Sequence, residues 1–474
     1  MARGSPDMSI EPIGFLTILA GLICLGLGTG ALIRGVAITA TLGAAAALFI
    51  GAANISPAHL MLGFLAFGVL SHRHALAAAI RSLHPNEPGF WLACLVLYGV
   101  ASAFFLPRVF AGLTDVVPLG SSMFDDTGST VPLVPVSSNL TQSVYLAANL
   151  LAFVTVVAVA STRAGFEATV GALLAYCIAN SVFAVLDLAT YASGTQDVLG
   201  LIRNTRYTLH TETEIAGMKR IAGSFTEASS FARSTLGVLG FSGTLWVCGI
   251  RPRLTGALAG LSLVLIVLST SSTGLAGAPV MLLALYATAL ASLVRGGAGR
   301  RAVFFAIGAP IVGLTALLLV LLYPGAANAV YGYVDLVLLN KPNSDSGIER
   351  SSWNAVSFQN FLDSWGLGVG LGTARASSFA IALLATVGIP GAFFYIIFIL
   401  ECFLRPRGAP DSLEANVAVA ARNGFVGLLI GDLLVSPVLD QGLFFCMLAA
   451  TAAAIRPRRH GLRARGRQFA GAKL

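Results

Sequence analysis

The sequence predicts an all-α fold: a polytopic bundle of twelve or thirteen membrane-spanning helices, with two functional loops on one side. Three observations carry this expectation. The 474 residues are 56% hydrophobic and 11% charged, with a mean hydropathy of +0.83, whereas a soluble domain carries about 25% charged residues. Apolar runs of about 18–25 residues recur along nearly the whole chain, each long enough to cross roughly 30 Å of hydrocarbon. Backbone polar groups in lipid must be satisfied internally, so these runs are helices, and the ~10-residue alternation of a membrane barrel is absent.

In chain order, the expected spans are 13–33, 35–53, 57–71, 89–106, 143–161, 166–192, 231–250, 254–270, 273–294, 303–322, 378–400, 416–436 and 440–455. Arginines mark alternate connections: Arg73 and Arg81, Arg163, Arg251 and Arg253, Arg295 with Arg300 and Arg301, then Arg405 and Arg407. By the positive-inside rule these connections and the basic tail 456–474 are cytoplasmic. The longer loops 107–142, 193–230 and 323–377 then share the opposite face. Counting back from the tail, thirteen spans put the N-terminus outside. The run 57–71 is short and Arg34 barely separates the first two runs, so twelve spans with both ends inside is the alternative. Residues 1–474 form a single integral membrane domain. No cleavable signal peptide is expected, because a second apolar run follows the first at once, and Met8 is a candidate natural start.

The formal net charge of +8 sits mostly in short loops and in the tail, the pattern of anchoring charge beside anionic lipid. No basic-aromatic patch or base-reading motif accompanies it, so membrane lipids are expected partners and nucleic acid is not. The six cysteines lie in or beside apolar runs without C-x-x-C spacing and read as small apolar fillers. His72, Arg73, His74, Arg81 and His84, with Leu76, Ile80 and Leu83 at helical spacing, predict an interfacial helix. These histidines lack an acidic or cysteine partner for a metal site. Loop 107–142, with Asp115, Asp125, Asp126 and prolines at 107, 118, 132 and 135, reads as irregular cover.

The loops that face away from the cytoplasm ought to be poor in arginine, yet the first holds Arg203, Arg206, Lys219 and Arg220, with Arg233 just beyond. The second holds Lys341, Arg350 and Arg375, and Arg108 lies at the edge of the cover. Solvated charge in translocated loops is one account. The other is an anionic ligand, because an unpaired cation near the apolar interface is costly and the guanidinium fork matches phosphate oxygens. A membrane-embedded anion there points to a lipid-linked phosphate or pyrophosphate. Ser224, Thr226, Ser229 and Ser230 precede or open a span and can cap it, and exposed N–H groups at such a start attract anions. Glu227 beside them either completes that cap or is a general base for a sugar hydroxyl. Trp353 and Trp365 can stack on sugar rings or anchor at the interface. Glycines at 366, 368, 370 and 372 do not fit G-x-G-x-x-G and lack a strand–helix unit, which excludes a dinucleotide site.

Three ordered motifs carry a resemblance: Arg220-Ile-Ala-Gly-Ser-Phe-Thr-Glu-Ala-Ser-Ser-Phe-Ala; Ser346 with Glu349, Arg350 and Trp353; and Gly368-Val-Gly-Leu-Gly-Thr-Ala-Arg followed by Ser-Ser-Phe and Gly388-Ile-Pro-Gly. In order and spacing, over roughly 140–455, they resemble the O-antigen polymerase and ligase superfamily. Leu268-Ser-Thr-Ser-Ser-Thr-Gly sits where that family often has a serine-rich turn with an arginine, absent here. The resemblance implies a GT-C-like, metal-independent, inverting glycosyltransferase of the bacterial cytoplasmic membrane, its loops 193–230 and 323–377 facing the periplasm. It implies no cofactor, an undecaprenyl-pyrophosphate-linked glycan as substrate, and polysaccharide-assembly proteins such as a chain-length regulator as possible partners. Arg220, Arg350 and Arg375 are the matches to pyrophosphate-holding arginines. Glu227, or else Glu349 or Asp363, is the candidate base. Arg203, Arg206, Lys219, Arg233, Ser224 and Trp353 complete the expected site. Lipid A–core ligases carry a histidine before the helix that follows the second loop. Ser377 and Ser378 stand there instead, which favours a polymerase of O-antigen or exopolysaccharide repeats over a ligase. His210 does not match the motif. A lipid-linked-oligosaccharide flippase or secondary transporter is the rival class, though no internal repeat is evident.

Overall fold

The computed structural model describes residues 8–454 except 51–52, 125–128, 207–208, 216, 296, 298, 406–407 and 410–411. The basic tail 456–474, Asp125, Asp126 and Arg407 therefore lie outside the described residues. In chain order the elements are β1 (Met8–Ile10), α1 (Pro12–Leu27), α2 (Thr29–Thr39), β2 (Leu48–Ile50), β3 (Ala53–Ile55), α3 (Pro57–Leu70), α4 (Arg73–Ser82), α5 (Pro88–Val109), β4 (Asp115–Val116), β5 (Val131–Pro132), α6 (Ser138–Ala160) and α7 (Arg163–Ser193). There follow β6 (Glu214–Ile215), β7 (Met218–Lys219), α8 (Ala228–Val247), α9 (Pro252–Leu268), α10 (Ser272–Val294), α11 (Arg300–Leu322), α12 (Pro324–Val334), α13 (Asp345–Asp363), α14 (Phe379–Leu404), α15 (Leu413–Val435) and α16 (Gly442–Ala454).

The chain is a helical membrane bundle. Among the described residues, α5, α6, α7, α10, α11, α14 and α15 are long and apolar enough to cross a membrane. The α3–α4 pair, bent by 112°, is an eighth candidate, while α1, α2, α9 and α16 are shorter apolar helices. Along α11 only Ala302 and Ala306 are buried by protein, as for a helix sheathed in lipid. The opposite case is α8, buried along almost its whole length. It packs on α9, α10 and α15 through small residues: a Cβ on Gly427 would stand 2.4 Å from Leu236 O, and one on Gly240 2.4 Å from Asn423 O. Such close backbone approach is how helices associate without a hydrophobic drive between them.

Cross-links sort the connections into two ends. Arg405 pairs with Glu87 at 2.5 Å and donates to Ala453 O, so the loops after α4 and α14 and the C-terminal turn of α16 meet at one end. At the other, Ala44 N donates to Ser224 O (2.9 Å), Arg375 N to Val117 O (2.9 Å), and Arg350 approaches Glu227. The expected loops 107–142, 193–230 and 323–377 thus do share one end. At the far end α4 forms as expected, burying Ala78, Ala79 and Ser82 and leaving Leu76 and Ile80 exposed, which suits a helix lying along an apolar interface.

Two expected spans are overturned. The first, 13–33, is broken at Gly28, where α1 ends and α2 begins. Residues 35–53 are not a single helix: α2 stops at Thr39, and β2 pairs antiparallel with β1 and β3. The buried stretch from Ala44 to Ala47 satisfies its backbone sideways instead, Ala47 N on Ile55 O and Glu11 N on Ala47 O. Hydropathy cannot tell a buried extended segment from a span. Within loop 323–377, α12 and α13 fill most of the length.

Candidate functional site

Two segments build the site: the turn 219–227 leading into α8, and α13 with the glycine-rich strand of chain after it. The first is held by buried Asp187. Its Oδ2 accepts from Ala222 N and Gly223 N at 2.9 Å each, while Oδ1 pairs with Arg203 at 2.7 Å and Lys219 at 3.5 Å. Ser224 Oγ, fully buried, donates to Thr41 O at 2.6 Å. Residues 220–227 are thereby clamped to α7 and to the segment after α2.

The second segment uses backbone that only glycine adopts freely. Gly366, Gly368, Gly370 and Gly372 have φ of 77°, 83°, 101° and 79°, a region disfavoured for any side chain. A Cβ on Gly372 would lie 2.5 Å from Ser138 O, and one on Gly368 2.7 Å from Thr386 C and O. Asn139 locks the segment by donating to Leu371 O (2.7 Å) and Thr373 Oγ1 (2.8 Å). The run ends in Arg375, whose carbonyl accepts from Ser357 of α13 at 2.9 Å.

Together these segments gather one charged cluster. Arg350 Nη2 stands 3.6 Å from Glu227 Oε2, both side chains about a quarter exposed. Ser229 donates to the other Glu227 oxygen. The Arg375 guanidinium lies over the Trp353 ring, 4.0 Å from its centroid, a cation–π contact. Lys341 hydrogen-bonds Ser346 at the start of α13. Burial, with Arg350 adding to it and Glu227 opposing, pushes Arg220 below its ordinary value. Lys341 is lowered by burial and then by Arg350 and Arg220, against Glu227. Arg375 is lowered by burial, against Glu349 and Glu227, with Arg350 again adding. Arg220 Nε is buried without a hydrogen-bond partner among the described residues. Four cations (Arg220, Lys341, Arg350, Arg375) thus face two carboxylates (Glu227, Glu349), and burial is the main cause that lowers Arg220, Lys341 and Arg375, so the site holds more positive than negative charge in partly desolvated surroundings.

The structure divides the expected residue set. Arg220, Glu227, Arg350, Arg375, Glu349 and Trp353 come together. Arg203 and Lys219 point instead at Asp187, which pairs with both and makes them anchors of the turn. Arg233 is likewise engaged: it grips Asp432 through both carboxylate oxygens and donates to Gln441 O at 2.7 Å. Arg206 lies over the Phe49 ring at 4.3 Å, and Ser224 is a buried strut. Each of these side chains thus has a partner within the protein, which accounts for much of the anomaly of arginines on this side. Glu227 sits at the N-cap of α8, yet no side chain caps that helix, so the capping role expected of the serines is not seen. Asp363 is tied to Thr114 (2.6 Å) and Gln359 (2.7 Å) at the far end of α13 from Arg350. Trp365 is 79% exposed and packs edge-on to Phe110, as an interface anchor would. Sequence reasoning undervalued Lys341 and His210. His210 N donates to Thr226 O at 2.9 Å, bridging its backbone to Glu227, a pairing with no signal in the sequence. Comparison with family models, curated proteins and solved structures finds no match to this chain.

Proposed function

We propose that this chain is a membrane-embedded inverting glycosyltransferase that polymerises lipid-linked repeat units of O-antigen or exopolysaccharide, taking glycan from an undecaprenyl-pyrophosphate donor. The observation that carries the reading is the surplus of cations: Arg220, Arg350, Arg375 and Lys341 around Glu227 at one end of a membrane bundle. The ordered motifs around those same residues support it further. A pyrophosphate carries the charge this cluster lacks, and it is the leaving group in such a transfer.

In the proposed step, an acceptor hydroxyl oxygen attacks the anomeric carbon of the donor's first sugar from the face opposite the pyrophosphate. The carbon–oxygen bond to pyrophosphate breaks, its electron pair leaves with the phosphate oxygen, and the hydroxyl proton passes to the Glu227 carboxylate. Arg220, Arg350 and Arg375 stabilise the charge that develops on the departing oxygen, the preorganised electrostatic term that usually weighs most in such chemistry. The Trp353 ring holds Arg375 in place. The experiment is reconstitution with purified undecaprenyl-pyrophosphate repeats. A ladder of products is expected; extension only when lipid A–core or another distinct acceptor is added would make the protein a ligase, and no transfer to any acceptor would end the reading.

A further inference from the structure

Beside the cation cluster lies a second group of polar side chains that the proposed transfer does not use. One face of α6 presents Gln142, Tyr145 and Asn149 at helical spacing. Opposite stand the segment leading into α3 and the loop before α16. Tyr145 stacks on His59 with centroids 5.1 Å apart and donates its hydroxyl to Asn54 O. His59 Nδ1 lies 2.7 Å from Ser56 Oγ, and Asn149 Nδ2 donates to Asp440 Oδ1 at 2.9 Å. Asn54 and Asn149 are only 5% and 4% exposed. Yet both polar atoms of the Asn54 amide, Asn149 Oδ1 and Gln142 Oε1 have no hydrogen-bond partner among the described residues. Buried amides are rarely left so, because their desolvation goes uncompensated, and four such atoms in one neighbourhood call for a polar guest. His59 and Gln142 are half-buried, and the two asparagines are fully buried.

The place of this cluster ties it to the transfer site. Gln142 packs its Cβ and Cγ against Gly372, where an added Cβ would meet them at 3.0 Å, on the segment that ends in Arg375. Asp440 adjoins Gln441, whose carbonyl holds Arg233 on the same opening turns of α8 as Glu227. The chemistry differs from that of the arginine cluster. No lysine or arginine is among these lining groups, which offer amides able both to donate and to accept, an imidazole, a carboxylate and an aromatic face. That set suits an uncharged polyol and does not suit a phosphate.

We propose that Asn54, His59, Gln142, Asn149 and Asp440, with Tyr145, form the subsite for the uncharged sugar of the acceptor. This rests on the glycosyltransferase reading. The two sites divide the labour: arginines hold pyrophosphate, and the amide cluster holds the ring whose hydroxyl attacks.

The test uses the full-length protein, undecaprenyl-pyrophosphate-linked glycan as donor, and a fluorescently labelled repeat-unit oligosaccharide without lipid as acceptor. In Gln142→Ala, Asn149→Ala and His59→Gln, the acceptor KM should rise about tenfold or more while the donor KM stays within about twofold. Gln142→Ala, at a half-buried position, should keep the wild-type Tm and so separates binding from folding. Unchanged acceptor KM in Gln142→Ala and Asn149→Ala would mean that the cluster holds ordered water only, and would overturn the inference while the transfer reading stands. Parallel rises in both KM values would overturn it equally. A wild-type protein that extends neither this acceptor nor a lipid-linked repeat unit refutes the transfer reading itself, and the subsite with it.

Discussion

Asp187→Ala isolates the device that places Arg220. The carboxylate is fully buried and serves four groups at once: the Arg203 and Lys219 cations and the Ala222 and Gly223 amides. Removing it strands two cations whose side chains are only 7% and 4% exposed. Breaking a buried pair in this way costs about 3–5 kcal/mol. The lost amide acceptors overlap with that figure rather than adding to it. Loops open locally at less cost than the global unfolding free energy, so the turn 219–227 should detach from α7 before the bundle melts. Since every 1.4 kcal/mol is about tenfold in an equilibrium, the closed turn should become a minority state. The assay is limited trypsin cleavage at Lys219 and Arg220 alongside far-UV circular dichroism and elongation rate. Rapid cleavage, lost elongation and an unchanged helical signal are expected. Asp187→Asn keeps an acceptor for the two amides and should fall between. A variant as resistant to trypsin and as active as wild type would refute the clamp.

Other consequences follow from the same geometry. Gly372→Ala, with φ of 79° and a Cβ 2.5 Å from Ser138 O, should destabilise by more than about 1 kcal/mol, read as a lowered Tm; Gly308→Ala, with open space around it, should not lower it. Arg233→Met alone leaves Asp432 buried without its cation and should cost about 3–5 kcal/mol, whereas Arg233→Met with Asp432→Leu should recover most of that; a chemical-denaturation series in detergent measures both. The Lys341 amine is pushed below its ordinary value of 10.5, first by burial and then by Arg350 and Arg220. Between its folded value and 10.5 the unfolded chain binds more protons, so this residue makes stability rise with pH in that window. An anion favours the charged amine, so pyrophosphate affinity should fall as pH rises through the folded value, and Lys341→Arg should flatten that alkaline limb in a titration.

Much of the bundle was legible in the sequence because lipid imposes a simple rule on long apolar runs. The region 35–53 failed because Ala44 to Ala47 are apolar for a different reason: they are buried as extended chain beside Asn204 and Ser224. The site was legible in part. Arg220, Glu227, Arg350 and Arg375 stand in compact motifs, and alternate glycines announce unusual backbone before Arg375. Charge alone could not distinguish Arg220 from Arg203 or Arg233. Their partners, Asp187 and Asp432, lie 16 and 199 positions away in the chain, inside apolar runs where hydropathy masks them. The amide cluster was invisible for the same reason, since Asn54, Asn149 and Asp440 come from three separate segments.

The measurement closest to the central claim is the rate of ladder formation by Arg220→Ala. If Arg220 holds developing charge on the departing pyrophosphate, its loss should lower the rate by about 10²–10³, the usual effect of removing one preorganised donor. The Tm should stay near wild type, because Arg220 Nε has no hydrogen-bond partner to lose among the described residues. A ladder undiminished in Arg220→Ala would contradict the account.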